Sequence, residues 1–331
     1  ANTVVSPVGV VAAAGVIAEG SSDEPIIDLK TLRPAWTMWR RWAGPPTRNP
    51  KKNPVIATAA QLFVDPEFSI KPAYHEAIAG WDVSIETGAI IQENLDEWAR
   101  INTANLIQQS GITVTPETKL VLQNAITFAA KWQEDFRQWD VIDYDFTRAD
   151  GTITRVKMMC SVRHAPYTVS DGWRGVRLDY TDGELAAFVL IPDDDTEQAP
   201  LTTLRQAVSQ LCRPNETMGR VAVELPRFTV TSEKKLFELF DCIGLETNTQ
   251  LKAMTDPPVM LTQVMQQAII VVDERGTVVS AVTSGGMETG VSLYTEKPIE
   301  IIANRPFYFI VGDVETGTPL FLSHIGDPKM A

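Results

Sequence analysis

The chain has 331 residues, of which 44% are apolar, 21% charged and 8% aromatic. That composition excludes a disordered or collagen-like chain, and 29 basic against 42 acidic residues exclude nucleic acid and anionic membrane as partners of the protein as a whole. Its length sets a prior of two domains of about 150 residues. Three scattered cysteines, Cys160, Cys212 and Cys242, supply neither a disulfide framework nor a CxxC site.

In chain order, Val8–Ala18 is the longest apolar run. It is too short to span a bilayer and reads as a core helix, with Ser6 as N-cap and Pro7 at the first helical position. No basic residue precedes it, so it is not read as a signal sequence, and the chain reads as soluble. Residues 43–54, rich in proline and asparagine, form a loop. A strand at Val55–Val64, a helix at Lys71–Ile78, a strand at Asp82–Ile85, a helix at Glu93–Gln108 and a long apolar strand at Lys119–Phe128 follow. Strands then dominate: Ile153–Met159, Gly175–Tyr180, Leu185–Ile191, Val221–Leu225 and Phe228–Val230. After a helix at Lys234–Cys242 come strands at Ala268–Val272, Ile299–Ile302, Phe307–Val311 and Leu320–Ile325, the last two joined by a turn at Asp313–Gly317. Early helices and late strands predict an α+β fold with largely antiparallel sheets.

Motifs of enzyme chemistry are missing: there is no GxSxG, no phosphate loop, no GxGxxG and no HExxH. His75, His164 and His324 are far apart and read as structural or surface residues. Ser232 and Lys235 match S-x-x-K without its companion motifs, and Asp193–Asp195 reads as a solvated turn, not a metal site. Neither an enzyme, a cofactor nor a metal is expected. Asn215-Glu-Thr217 is a sequon, relevant only in a eukaryotic secretory route.

Several segments carry a resemblance. Asn124, Ala125, Phe128, Trp132 and Phe136 have the offsets of the serpin signature across a central strand, and Asn2–Pro7 is similar to the serpin strand entering the second helix. Val156–Met159, Phe188–Pro192, Val223–Phe228, the hinge-like Asp273–Thr277, Asn304–Phe307 and Gly317–Leu322 follow in family order, ending at Asp327-Pro328. On these residues the chain resembles a divergent serpin. The family's opening helix would precede Asn2.

The resemblance implies one serpin domain over residues 1–331, overruling the two-domain prior. It implies three β-sheets, about eight helices and an exposed or inserted reactive-centre loop near 274–298. It also implies a suicide inhibitor of serine proteases that acts as a monomer, commonly outside the cell. A non-inhibitory binding or carrier protein on the same fold is the alternative. The hinge would be Glu274, Gly276 and Thr277, with Val279, Ala281 and Thr283 facing inward after insertion. Val278, Val279 and Val282 depart from the small residues usual there, which predicts slower entry. Counting from the hinge and back from Pro306 brackets the scissile bond within Gly290, Val291, Ser292, Leu293, Tyr294 and Thr295. No Arg or Lys lies in that window, so the expected target is elastase-, subtilisin- or chymotrypsin-like.

Ser6, Asn124 and Gln266 are expected to form a buried polar cluster where the central sheet opens, with Gly9 in place of a usual serine and Gln266 in place of a usual histidine. Between Lys30 and Lys52 lies a run with no acidic residue that includes Arg33, Arg40, Arg41, Arg48, Lys51 and Lys52. It is either a polyanion site or a solvated face over Trp36, Trp39 and Trp42.

Overall fold

The computed structural model describes residues 2–21, 37–50, 53–170, 172–193, 200–213, 217–242, 250–277 and 297–329. Among the described residues the strands form three large sheets, two of them joined through one shared long strand. The central one contains β2 (Val55–Val64), β4 (Val83–Thr87), β5 (Leu120–Lys131), β11 (Phe228–Lys235), β15 (Gln263–Asp273) and β16 (Gly276–Thr277), in the order β11-β15-β16-β5-β2-β4. A second runs β1 (Thr3–Val5), β19 (Pro319–Ile325), β18 (Phe307–Asp313), β9 (Leu185–Pro192), β8 (Trp173–Asp179) and one end of β7 (Ile153–Ser170). The other end of β7 pairs with β6 (Val141–Thr147) and with β10 (Met218–Pro226), which pairs with β17 (Ile299–Ile302). Two short ribbons join β3 (Ser69–Ile70) to β13 (Thr255–Asp256) and β12 (Gln250–Leu251) to β14 (Val259–Met260).

Among the described residues there are five α-helices against the eight or so expected: α1 (Pro7–Gly20), α2 (Pro72–Ile78), α3 (Gln92–Asn102), α4 (Leu201–Leu211) and α5 (Phe237–Cys242). Helix α1 is apolar nearly all round and buried along most of its length. It packs between the central and second sheets, where burying side chains such as Val16 and Ile17 contributes roughly 1.5–3 kcal/mol each. Its approach requires glycine at two positions. A Cβ on Gly15 would lie 2.4 Å from the Trp81 ring, and one on Gly9 would lie 2.2 Å from Asn124 Oδ1.

Several expectations change. The helix predicted over 93–108 ends at Asn102, because Ala104 and Asn105 adopt left-handed φ of 52° and 57° and Thr103 Oγ1 takes the Ile107 N–H at 3.0 Å. Residues 109–114 then lie across the outer face of the central sheet. Lys234 and Lys235 belong to β11, paired with Gln266 and Met265, and not to a helix. Strand β7 is far longer than its predicted first half because it serves two sheets. Parallel pairings of β15 with β5, β2 with β4 and β10 with β17 make the sheets more mixed than predicted.

Candidate functional site: the seam of the central sheet

Strands β5 and β15 lie side by side and parallel, paired from Val121 with Gln263 to Thr127 with Ile269. Above that, β16 separates them. Thr277 faces Val272 on one side and Ala130 on the other, and Gly276 faces Asp273 and Lys131. The seam is therefore closed below and split by one strand at its head, with the two walls keeping the same mutual register throughout. Gly276 is demanded by contact: a Cβ there would lie 2.0 Å from the Ala130 carbonyl oxygen.

The split is held by aromatic and charged neighbours. Thr277 is fully buried, and its hydroxyl shares a 2.8 Å hydrogen bond with Tyr180, whose phenol is pushed upward by burial. Trp132 stacks on Tyr180 at 4.7 Å, and its Nε1 donates to the Asp273 carbonyl at 3.0 Å. The Trp132 and Phe136 N–H groups donate to the carbonyls of Arg275 and Glu274 at 2.9 and 2.8 Å. Glu274, 6% exposed, is paired with Arg227. Burial is the main influence on the Asp273 carboxyl and raises its pKa, partly offset by the hydrogen bond from the Arg275 N–H at 2.8 Å.

On the inner face, beneath the start of α1, Ser6, Asn124 and Gln266 come together, all essentially buried. Gln266 Oε1 accepts from the Ser6 N–H at 2.9 Å, and its Nε2 donates to the Ser6 carbonyl at 3.0 Å and to Asn124 Oδ1 at 3.3 Å. Asn124 Nδ2 donates to the Ala59 carbonyl at 3.1 Å. Ser6 Oγ does not cap α1 as predicted. It donates instead to the Leu320 carbonyl at 2.7 Å, tying the helix start to β19.

On the outer face, residues 109–114 straddle the seam like a strap. Ser110 Oγ donates to Gln123 Oε1 on β5 at 3.0 Å. Gln263 on β15 accepts from the Thr113 N–H at 3.2 Å and donates to the Thr113 carbonyl at 2.7 Å, while Gln267 Nε2 reaches the Gln109 carbonyl at 2.8 Å. Ile112 fills the space beneath, among Phe63, Val121 and Met265. Sequence reasoning passed over this strap; its signal was the polar Gln263 and Gln267, four residues apart in an apolar strand. It also passed over Tyr180 and Arg227.

A model of the family described as "Serpin (serine protease inhibitor)" matches residues 1–328. The chain belongs to the serpin family. Serpin-Z4 of Arabidopsis thaliana is 25% identical to this serpin over 309 residues, 83% of this chain and 77% of the relative. Two solved structures share the fold: the thermophilic serpin Tengpin in its native state, and human thyroxine-binding globulin complexed with thyroxine. Their TM-scores are 0.82 and 0.81, their identities 19% and 17%, and the matches cover 98% and 99% of this chain and 88% and 92% of theirs.

In this serpin the predicted residues Val279, Ala281 and Thr283 and the window Gly290–Thr295 lie outside the described residues, as do Arg33, Lys51 and Lys52. The other predicted patch residues are engaged locally. Arg40 pairs with Asp82 at 2.7 Å, Arg41 pairs with Asp313 and Glu184, and Arg48 donates to the carbonyls of Ala104 and Asn105. Trp39 and Trp42 are buried, with Arg41 over the Trp42 ring at 4.1 Å. Among the described residues no cluster of potential metal ligands occurs, and no helix is long and apolar enough to cross a membrane.

Proposed function

We propose that this serpin is a suicide inhibitor of serine proteases, and that the seam between β5 and β15 receives its reactive loop after cleavage. The observation that carries the reading is β16, already paired with both walls at the head of the seam. Thr277 faces inward toward Tyr180, so by strand alternation the odd-numbered residues after it would face inward too. Continuing the register on insertion would set Val279 between Phe128 and Ile270, Ala281 between Ile126 and Ala268, and Thr283 between Asn124 and Gln266. Apolar side chains would meet apolar walls, and the threonine hydroxyl would meet the buried amides.

In the proposed reaction the protease serine attacks a carbonyl within Gly290–Thr295, the C-terminal amine departs, and an ester joins the enzyme to the new carboxyl end. The freed segment enters the seam and replaces one ladder of hydrogen bonds by two. About ten additional bonds at roughly 0.5–1.5 kcal/mol each would release on the order of 10 kcal/mol. Dragging the ester out of the oxyanion hole would slow its hydrolysis by about 10²–10³ for each donor lost. With no Arg or Lys in the window, the targets are elastase-, subtilisin- or chymotrypsin-like.

The test is incubation with such a protease panel, read on a denaturing gel. A covalent complex supports inhibition; quantitative cleavage without one refutes it. A second reading, a non-inhibitory binding protein, is favoured by a cavity of about 480 Å³ between α4 and β18–β19, lined by Leu204, Val208, Ile310 and Leu322. Under that reading cleavage would leave thermal stability unchanged, whereas an inhibitor becomes much more stable when cut.

A further inference from the structure

The sheet formed by β6, β7, β10 and β17 leaves an apolar hollow open to solvent. Trp139, in the short turn before β6, is 57% exposed, and Ile142 and Val162 are 46% and 53% exposed. All three line one hollow of about 490 Å³, whose wall also includes Cys160 and Ala222. Strand pairing explains why they converge. Val162 is opposite Ala222, Cys160 is opposite Glu224 and Ile142 is opposite Met158, so alternation brings these residues to one face. A single exposed valine needs no account. A tryptophan, an isoleucine and a valine left together in one depression mark a surface that another molecule covers.

The hollow has an acidic edge. Asp140 and Glu224 line it, and among the described residues no Lys, Arg or His does. Glu300 on β17 is opposite Ala222. Burial pushes the Cys160 thiol up to about 11, and Glu224 and Asp140 add to the shift; burial and then Glu300 raise the Glu224 carboxyl as well. Arg220 and His164 pair one row further along the sheet, so the acidic groups lie to one side of the hollow. A second copy of this chain would bring the same acidic edge and a net charge of −13 against it. An apolar group carried between basic ones fits better.

The proposed loop brings such a partner to the spot. Strand β17 pairs in parallel with β10, from Val221 with Ile299 to Glu224 with Ile302. The window Gly290–Thr295 precedes Ile299 by four to nine residues, at most about 30 Å of extended chain. Strand β7 lies two strand spacings, about 10 Å, from β17. A protease of about 220 residues is roughly 40 Å across, so one seated on the window is wide enough to reach the hollow.

We propose that this hollow is a second contact surface for the attacking protease, taking an apolar side chain flanked by Lys or Arg from the rim of the protease's cleft. The proposal rests on the reading that a protease attacks the loop, and is independent of whether that enzyme is then trapped. Contacts remote from the scissile bond raise the rate of attack at low concentration, because they persist in the transition state. Here they give selectivity to a window that has no charged residue for a protease to read.

The experiment mixes the full chain with a cationic elastase, a chymotrypsin and a subtilisin, and measures the second-order rate constant for loss of intact chain, counting covalent complex and cleaved product together. Val162→Glu and Trp139→Ala, both at exposed positions, should each slow the preferred protease at least about tenfold, as the loss of a central interface contact does. Ile153→Glu, at a 63% exposed position at the far end of β7, should leave the rate within about twofold, which separates docking from a general effect of added negative charge. Raising sodium chloride from about 0.05 to 0.5 M should slow the wild-type reaction about threefold or more, and slow Glu300→Gln less. Unchanged rates in both hollow variants with every protease would overturn the proposal, as would equal slowing by Ile153→Glu. A dimer in sedimentation velocity that Val162→Glu dissociates would overturn it too, by giving the face to a second copy. Slowed cleavage in the variants with no covalent complex in any would uphold the contact surface and refute the trap.

Discussion

Ser110→Ala tests whether the outer strap and the inserted strand compete. In the closed seam the strap is bonded to β5 through Ser110–Gln123 and to β15 through Gln263 and Gln267. A strand entering between them would widen the separation by about 4.8 Å, one strand spacing. Bonds of 2.7–3.2 Å on both sides cannot survive that. The weaker side is the single bond from Ser110, so it is the one expected to part. Removing it costs the intact protein about 1 kcal/mol, the net worth of one buried hydrogen bond. The cleaved, inserted form should lose less, because there the bond to Gln123 is already broken and only the 3.3 Å bond from the Ile112 N–H, inside the strap, goes with the hydroxyl. Entry should then speed up by about fivefold if the bond is lost before the transition state. Urea unfolding of intact and loop-cleaved protein, with the number of protease molecules trapped per serpin consumed, measures both effects. Equal destabilisation of the two forms would refute the reasoning, since the strap would then remain bonded across an opened sheet.

Three other outcomes follow from the same region. Gly9→Ala places a methyl 2.2 Å from Asn124 Oδ1 and 2.4 Å from Gln266 Nε2; overpacking and broken amide bonds should cost roughly 2–4 kcal/mol in urea unfolding, and a change under about 0.5 kcal/mol would show that the cluster yields freely. Glu274→Gln leaves Arg227 without its counter-charge, and since Arg227 is 29% exposed the loss should be a discounted 1–2 kcal/mol or so, readable as faster amide exchange at Trp132 and Phe136. Asp273 has a folded pKa raised mainly by burial, so the folded state binds its proton more tightly than the unfolded chain does. Its contribution to stability is greatest below the unfolded value and is lost as pH rises through the folded one. Asp273→Asn, which keeps an acceptor for the Arg275 N–H, should therefore stabilise the protein at neutral pH and flatten the fall in its stability as pH rises above the ordinary carboxylate range. A steeper pH profile in that variant would contradict this sign.

What the sequence made legible and what it hid divide along a physical line. The predicted hinge residues Glu274, Gly276 and Thr277 stand in a short motif, and polar Asn124 and Gln266 interrupt strands that are otherwise apolar. Such residues are costly to bury alone, so each announces a partner before its partner is known. Helix α3 was visible through Leu95 and Trp98, but its end was not, because left-handed turns at Ala104 and Asn105 leave no mark on apolar periodicity. Strand β6 and helix α4 were missed, although the charged Asp143 and Asp145 alternate with Tyr144 and Phe146 and the spacing of Leu204, Ala207, Val208 and Leu211 is helical. The remainder is non-local. Gln263 meets Thr113 across 150 residues and Tyr180 meets Thr277 across 97, and neither pairing follows from any local pattern. Side-chain alternation tells which face of a strand is buried, but not which strand lies beside it. Register across the seam supplies that missing fact for β16, pairing Thr277 with Ala130 and Val272, and under the proposed insertion its continuation would give each later position a pair of neighbours. Under that insertion the threonine at 283 would stand opposite Asn124 and Gln266, a meaning that its place in the sequence could not give it.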